Sequence, residues 1–230
     1  MSNAKVYISV GHGGKDSGAV GYCVEKDVNL VMALACRSIL IQHGVDVKMS
    51  RTVDEDDPLI ETIKEVNAWN PDLAIDFHNN SGRGQGFEVF YFSGGGTSLQ
   101  LAKNIESEVI KIGQNSRGCK TKLNESGLDY FGFIRQTICP AVICEGFFVD
   151  NETDYKKADT EAKQKEFGYA YAKGILKTLG IEYQTVDSTD TENDGLYHVQ
   201  VGAYSKRENA EEQLKKVREA GFLDSFIKKY

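Results

Sequence analysis

Short apolar runs alternate through residues 1–180 with stretches whose apolar positions recur at helical spacing, the pattern of an α/β layer fold. Residues 6–10 read as a buried strand ending in Gly11-His12-Gly13-Gly14. Leu30, Ala33, Leu34 and Ile41 then share one helical face, which Gly44 ends. The pattern next predicts a strand at 45–49, a helix over 59–69, and a strand at 73–77 that stops at His78. A strand at 86–92, a helix over 99–112 and a strand at 141–144 follow, the last delivering Glu145 at its end. Phe167, Ala170, Tyr171 and Ile175 mark a closing helix. The fold expected for 1–180 is a mixed, largely parallel twisted sheet flanked by helices.

Beyond residue 180 the pattern changes. Residues 181–194 collect Gln184, Asp187, Ser188, Thr189, Asp190, Thr191, Glu192, Asn193 and Asp194 with little to bury, and read as a polar acidic linker. Residues 196–204 then alternate apolar and polar like a strand. Ser205 and Glu208 form a capping-box pattern, Ala210, Leu214 and Val217 line one face of a helix closed by Gly221, and 222–227 supply a second strand. Residues 195–230 are thus expected to form a small β-α-β module.

Composition narrows the function classes. A chain of 230 residues, 40% hydrophobic, can bury one substantial core and carry a small appendage. The net charge of −7 argues against a nucleic-acid partner and against anchoring by charge to an anionic membrane or wall polymer. Five scattered cysteines, an odd number without a C-x-x-C pair, exclude a complete disulfide framework and point to synthesis in a reducing compartment. No signal-peptide pattern is visible at the N-terminus, so synthesis in the cytoplasm is expected, and no apolar run is long enough to span a membrane.

Against this background His12, Glu25, His78 and Glu145 stand out. In open α/β sheets ligands bind beyond the carboxyl ends of strands, and His12, His78 and Glu145 all follow such ends. Glu25 lies where the chain enters the first helix, where an acid also suits the helix dipole. A carboxylate on a buried strand, as at Glu145, needs a metal, a cation or a proton beside it. His43, near a helix C-terminus, fits a structural role. Two imidazoles and two carboxylates form the ligand-and-base inventory of a zinc hydrolase.

The motifs also carry a family resemblance. Gly11-His12-Gly13-Gly14-Lys15-Asp16-Ser17-Gly18-Ala19, Glu25-Lys26-Asp27-Val28-Asn29-Leu30, Ser50-Arg51-Thr52, Phe77-His78-Asn79-Asn80, 86–91, Asn115-Ser116-Arg117-Gly118 and Pro140-Ala141-Val142-Ile143-Cys144-Glu145 resemble the type 3 zinc-dependent N-acetylmuramoyl-L-alanine amidases. The resemblance implies Zn2+ on His12, Glu25 and His78, Glu145 as the catalytic base, and hydrolysis of the amide joining N-acetylmuramic acid to L-alanine in peptidoglycan. It makes Arg135 and Asn80 candidates for holding the oxyanion or substrate, and Arg51 and Glu88 a structural pair or support for the ligands. Ser9-Val10 and Phe147 depart from the family pattern, which commonly has an acidic residue and a proline before Gly11 and a glycine at the Phe147 position.

Residues 199–205 resemble one repeat of the wall-binding SPOR modules, which implies glycan binding and, for a single repeat, self-association as one way to cover its sheet. The setting implied is a phage endolysin or a mother-cell autolysin acting on the wall after cell lysis. Two rival readings are weighed. A catalytically inactive wall-binding scaffold conflicts with four filled catalytic positions. An ATP pyrophosphatase-type loop at 13–17 leaves Glu25, His78 and Glu145 without roles.

Overall fold

Segments of four to eight residues, most of them rich in apolar side chains, supply the strands of a single six-stranded sheet: β1 (Lys5–Val10), β2 (Asp46–Met49), β3 (Leu73–Asn80), β4 (Phe87–Tyr91), β5 (Ser116–Lys120) and β6 (Ala141–Phe148). The spatial order is β2-β1-β3-β6-β4-β5; β2, β1, β3 and β6 run parallel, whereas β4 is antiparallel to β6 and parallel to β5. The computed structural model describes residues 3–184, 201–202, 204, 206–219 and 225–227. The chain divides into two units, 1–184 and 185–230.

Six helices belong to the first unit: α1 (Glu25–Gln42), α2 (Leu59–Trp69), α3 (Thr97–Lys111), α4 (Gly132–Gln136), α5 (Glu152–Tyr155) and α6 (Glu161–Leu179). Strand alternation sends Val6, Ile8 and Val10, Ile75 and Phe77, and Val142 and Cys144 to one face, where they form the main core with α1, α3 and α6. Tyr7, Ala74, Ala141 and Ile143 point the other way and meet Ile63 and Val66 of α2 and Phe133 and Ile134 of α4 in a smaller core. The long helix α6 is delimited by its ends. Thr160 Oγ1 accepts the Lys163 backbone N–H at 3.3 Å, and Gly180 closes the helix at φ 72°.

The strands and helices expected within residues 1–180 are present, with two consequential differences of extent. β3 runs on through Asn80 and β6 through Phe148, so His78 and Glu145 sit inside strands rather than just beyond them. Each has a neighbour to hydrogen-bond: β3 and β6 pair across His78 and Glu145, and β4 continues the ladder from the far side of β6. β5, α4 and α5 were not expected. Ser-Arg-Gly-Cys-Lys carries no apolar alternation, and four or five residues are too few to display a helical period, so tertiary contacts define all three.

Ile181 and Tyr183, expected in the linker, pack on the main core, with Tyr183 stacked on His43 at 5.2 Å. His43 Nδ1 meets the Ile39 carbonyl at 2.7 Å, and its Nε2 accepts the Gln184 N–H at 3.1 Å, the structural role expected of it. In the second unit α7 (Arg207–Glu219) shelters Ala210, Leu214 and Val217 on one side. Most of the strand expected at 196–204, the cap residue Ser205 and much of 222–227 lie outside the described residues. Among the described residues no helix is long and apolar enough to cross a membrane.

Candidate metal centre and active-site cleft

Glu25 is the hub of the site. As the first residue of α1 it is 3% exposed, and each carboxylate oxygen faces one imidazole and one backbone N–H. Oε2 lies 3.3 Å from His12 Nε2 and accepts from Ala19 N at 2.8 Å; Oε1 lies 3.0 Å from His78 Nδ1 and 3.0 Å from Asn79 N. The imidazoles meet edge to face, 4.9 Å apart at an interplanar angle of 83°. One donor atom from each of His12, Glu25 and His78 falls within 4.8 Å of the others.

Three segments far apart in sequence are drawn together by backbone geometry. β1 ends at Val10, Gly11 N bonds Phe77 O at 3.0 Å, and the chain turns at His12, whose φ of 64° is a left-handed conformation rare for a side-chain-bearing residue. A Cβ on Gly11 would lie 2.3 Å from His78 Nε2, and one on Gly18 would lie 2.5 Å from His12 Cδ2 and 2.6 Å from Glu25 Oε2. Glycine at both positions leaves the room that the three donors occupy.

Both imidazoles carry a carboxylate on the nitrogen turned away from Glu25. Asp16 Oδ2 is 2.9 Å from His12 Nδ1, and Asp76 Oδ2 is 3.4 Å from His78 Nε2. Neither aspartate was singled out from the sequence, although Asp16 lies within the glycine-rich motif and Asp76 precedes His78 by two on a strand, hence on the same face. Hydrogen bonding to Glu25 raises the His12 pKa above the usual imidazole value. Burial works against a charged His78, but Asp76, Glu25 and Glu145 outweigh it and hold that pKa well above the usual value. Burial also disfavours the Glu25 carboxylate, yet hydrogen bonds to His12 and His78 keep it well below the ordinary range. Two imidazoles and a carboxylate, with carboxylates behind the imidazoles, suit a divalent metal ion.

Glu145 is the register partner of His78 on one side and of Glu88 on the other, so the three side chains stand in a row across β3, β6 and β4. Burial pushes Glu145 up to about 7, against the charge of His78 and with those of Glu25, Glu88 and Asp76. An extra residue in β6 shifts the register between Glu145 and Phe148, and Phe147 turns into the main core. The departure at Phe147 is therefore a packing residue, centred 6.1 Å from Phe167.

The site opens into a cleft of about 610 Å³ on the α2/α4 face, with Asp76 and His78 in its lining. Leu59, Phe131 and Phe133 give it an apolar wall; Lys15, Asp16 and Asp56 give it a polar one. Arg135 is exposed on α4, and its Nη1 donates to the carbonyls of Asp129 and Tyr130 at 2.6 and 2.7 Å. Asn80 Nδ2 donates to Glu88 Oε1 at 2.9 Å. Of the two alternatives expected for Arg51 and Glu88, a mutual pair or support for the ligands, the pair does not form. The buried Arg51 guanidinium donates to the carbonyls of Val10, Gly11, Lys26 and Val53, whereas Glu88 binds Arg117 and Lys120 at 2.6 and 2.5 Å.

Residues 6–177 match the family model of N-acetylmuramoyl-L-alanine amidase. The chain belongs to this amidase family. Residues 170–229 also match the SPOR domain, a span that begins inside α6. The sporulation-specific N-acetylmuramoyl-L-alanine amidase of Bacillus subtilis is 32% identical over 228 residues, 97% of this chain and 84% of that protein. The catalytic domain of CwlV, an N-acetylmuramoyl-L-alanine amidase from Bacillus (Paenibacillus) polymyxa var. colistinus, aligns with a TM-score of 0.70 at 29% identity, covering 78% of this chain and 99% of that domain. Cwp6 from Clostridium difficile aligns with a TM-score of 0.76 at 33% identity, covering 77% of this chain and 29% of Cwp6.

Proposed function

We propose that the protein hydrolyses the amide between N-acetylmuramic acid and L-alanine in peptidoglycan, with zinc held by His12, Glu25 and His78 and with Glu145 moving the proton. The observation that carries this reading is the convergence of those three donors within 4.8 Å, beside a carboxylate in strand register with one of them. Membership of the amidase family supports the bond assigned. A bound zinc ion supplies Lewis acidity, acidifying water and polarising the scissile carbonyl.

The chain's own residues do the rest. Asp16 and Asp76 stand behind the imidazoles, and Glu25 is locked by two backbone N–H groups. Held near 7, Glu145 is poised to take a proton from the attacking water and return it to the leaving amine of L-alanine. Its neighbour Glu88, neutralised by Arg117 and Lys120, leaves Glu145 the carboxylate of that row free for this work. The apolar wall of Leu59, Phe131 and Phe133 offers a surface for the substrate beside the reacting amide. The engaged amide of Asn80 and the loop-capping guanidinium of Arg135 leave no direct support for an oxyanion role at either.

In this reading the SPOR-matched segment holds the enzyme on glycan strands, with 1–180 as the catalytic domain, 181–194 as linker and 195–230 as the binding module. Its field of action is the wall of a lysing cell, reached by mother-cell lysis or by phage lysis; a sporulation-specific amidase and a phage endolysin are both among its relatives. No observation supports self-association through the module.

The test is release of new L-alanine amino termini from purified peptidoglycan, with and without chelator, followed by zinc add-back. Release that chelation abolishes and zinc restores is expected. Folded, zinc-loaded protein that binds wall but releases no termini would favour the inactive scaffold.

A further inference from the structure

We propose that Asp76 is a positioning residue for the metal site: it accepts a hydrogen bond from His78 Nε2 and thereby presents Nδ1 to the ion. The inference rests on reading His12, Glu25 and His78 as metal ligands.

Asp76 and His78 lie two residues apart on β3, so both point to the cleft face, between Ser9 on β1 and the Ile143–Glu145 segment of β6. Asp76 is 3% exposed; among the described residues its Oδ1 has no hydrogen-bond partner, and its Oδ2 is 3.4 Å from His78 Nε2. A buried carboxylate so thinly paired costs folding free energy through lost hydration. Its worth therefore lies in what it does to His78.

Neutral imidazole has one N–H. Glu25 Oε1, 3.0 Å from Nδ1, attracts that hydrogen to the nitrogen that must instead donate its lone pair to the metal. Asp76 offers a competing acceptor on the opposite nitrogen, and a ligating histidine commonly donates its second N–H to such a carboxylate. The ring is also confined, because its Nε2 edge lies against Gly11, where an added Cβ would come within 2.3 Å. His12 has the same arrangement through Asp16, but the Asp16 side chain is 70% exposed where that of Asp76 is 5% exposed. Water screens Asp16 more than Asp76, although the Asp16 contact is the shorter, 2.9 Å against 3.4 Å.

The test uses the full chain and Zn2+ alone, titrated against a chromophoric chelator, in wild type, D76N, D76A, D16N and H12A. Nitrogen-15 NMR of the zinc-loaded wild type reads which His78 nitrogen carries hydrogen. D76N is expected to bind zinc roughly 10- to 100-fold more weakly and D76A at least as weakly. D16N should lose less. The chelated D76N protein should melt no lower than wild type, and His78 should carry its hydrogen on Nε2. Unchanged zinc affinity in D76N and D76A, ligation through Nε2, or a chelated D76N that melts lower while binding zinc normally overturns this inference alone. Failure of wild type to bind zinc, or full binding by H12A, overturns the ligand assignment and this inference with it.

Discussion

The two faces of the sheet are built from the same strands and do opposite things. Toward α1, α3 and α6 the strands present Val6, Ile8, Val10, Ile75, Phe77, Val142 and Cys144, all buried, in a continuous apolar core. Toward α2 and α4 the interleaved positions begin apolar, with Tyr7, Ala74 and Ala141, and turn polar along the strands through Ser9, Asp76, His78 and Glu145. The first face secures the fold. The second gives up apolar burial to hold charge where α2 and α4 leave a cleft. Because side chains alternate, one strand serves both without compromise: Phe77 and His78 are sequence neighbours with unrelated tasks.

Substitutions that separate the faces put this division at risk, and Glu145→Gln should have the largest effect. It should lower turnover by roughly 10²- to 10⁴-fold with zinc content unchanged, as read by L-alanine termini released and by metal analysis. Loss of zinc along with turnover would make Glu145 part of the ligand set. On the opposite face Phe77→Ala, fully buried and centred 5.1 Å from Tyr171, should cost about 3–5 kcal/mol in urea unfolding. Zinc affinity of its folded fraction should stay near wild type; a large drop would show the two faces to be coupled.

The cleft face should also leave a pH signature in the chelated protein. Glu145 moves from an ordinary 4.5 to about 7 on folding, so the folded state binds this proton more tightly than the unfolded chain. Its stabilising effect is complete below the ordinary value and is lost as pH rises to about 7, on the order of 3 kcal/mol in all. Unfolding curves of wild type and Glu145→Gln taken from pH 4 to 8 should therefore diverge, with the glutamine variant gaining on wild type as pH rises. Parallel curves would mean that Glu145 is not held in an unfavourable site. The smallest change tests the scaffold alone. Thr160→Ala removes the α6 cap and should cost about 1 kcal/mol in urea unfolding with amidase activity intact.

Much of the first unit was legible in the chain. The helix over 59–69 is found within those bounds, because Ile63 and Val66 set a helical period and α2 packs by that stripe. His12 at the end of a strand, Glu25 at the entry to a helix and His78 on the strand two places beyond β1 in sequence order were all readable from local pattern. The tertiary structure alone decided that β6 inserts between β3 and β4, which puts Glu145 between His78 and Glu88 and carries both β3 and β6 past their expected ends. It alone decided the partners of Arg51 and the reach of Asp76 to His78 Nε2. The physical reason is one of range. Hydrophobic period and capping act over a few residues and are written in the local order, whereas the pairing of β3 with β6 and the meeting of Glu25 with His78 are set by contacts across 50 residues or more, which only the folded chain brings together.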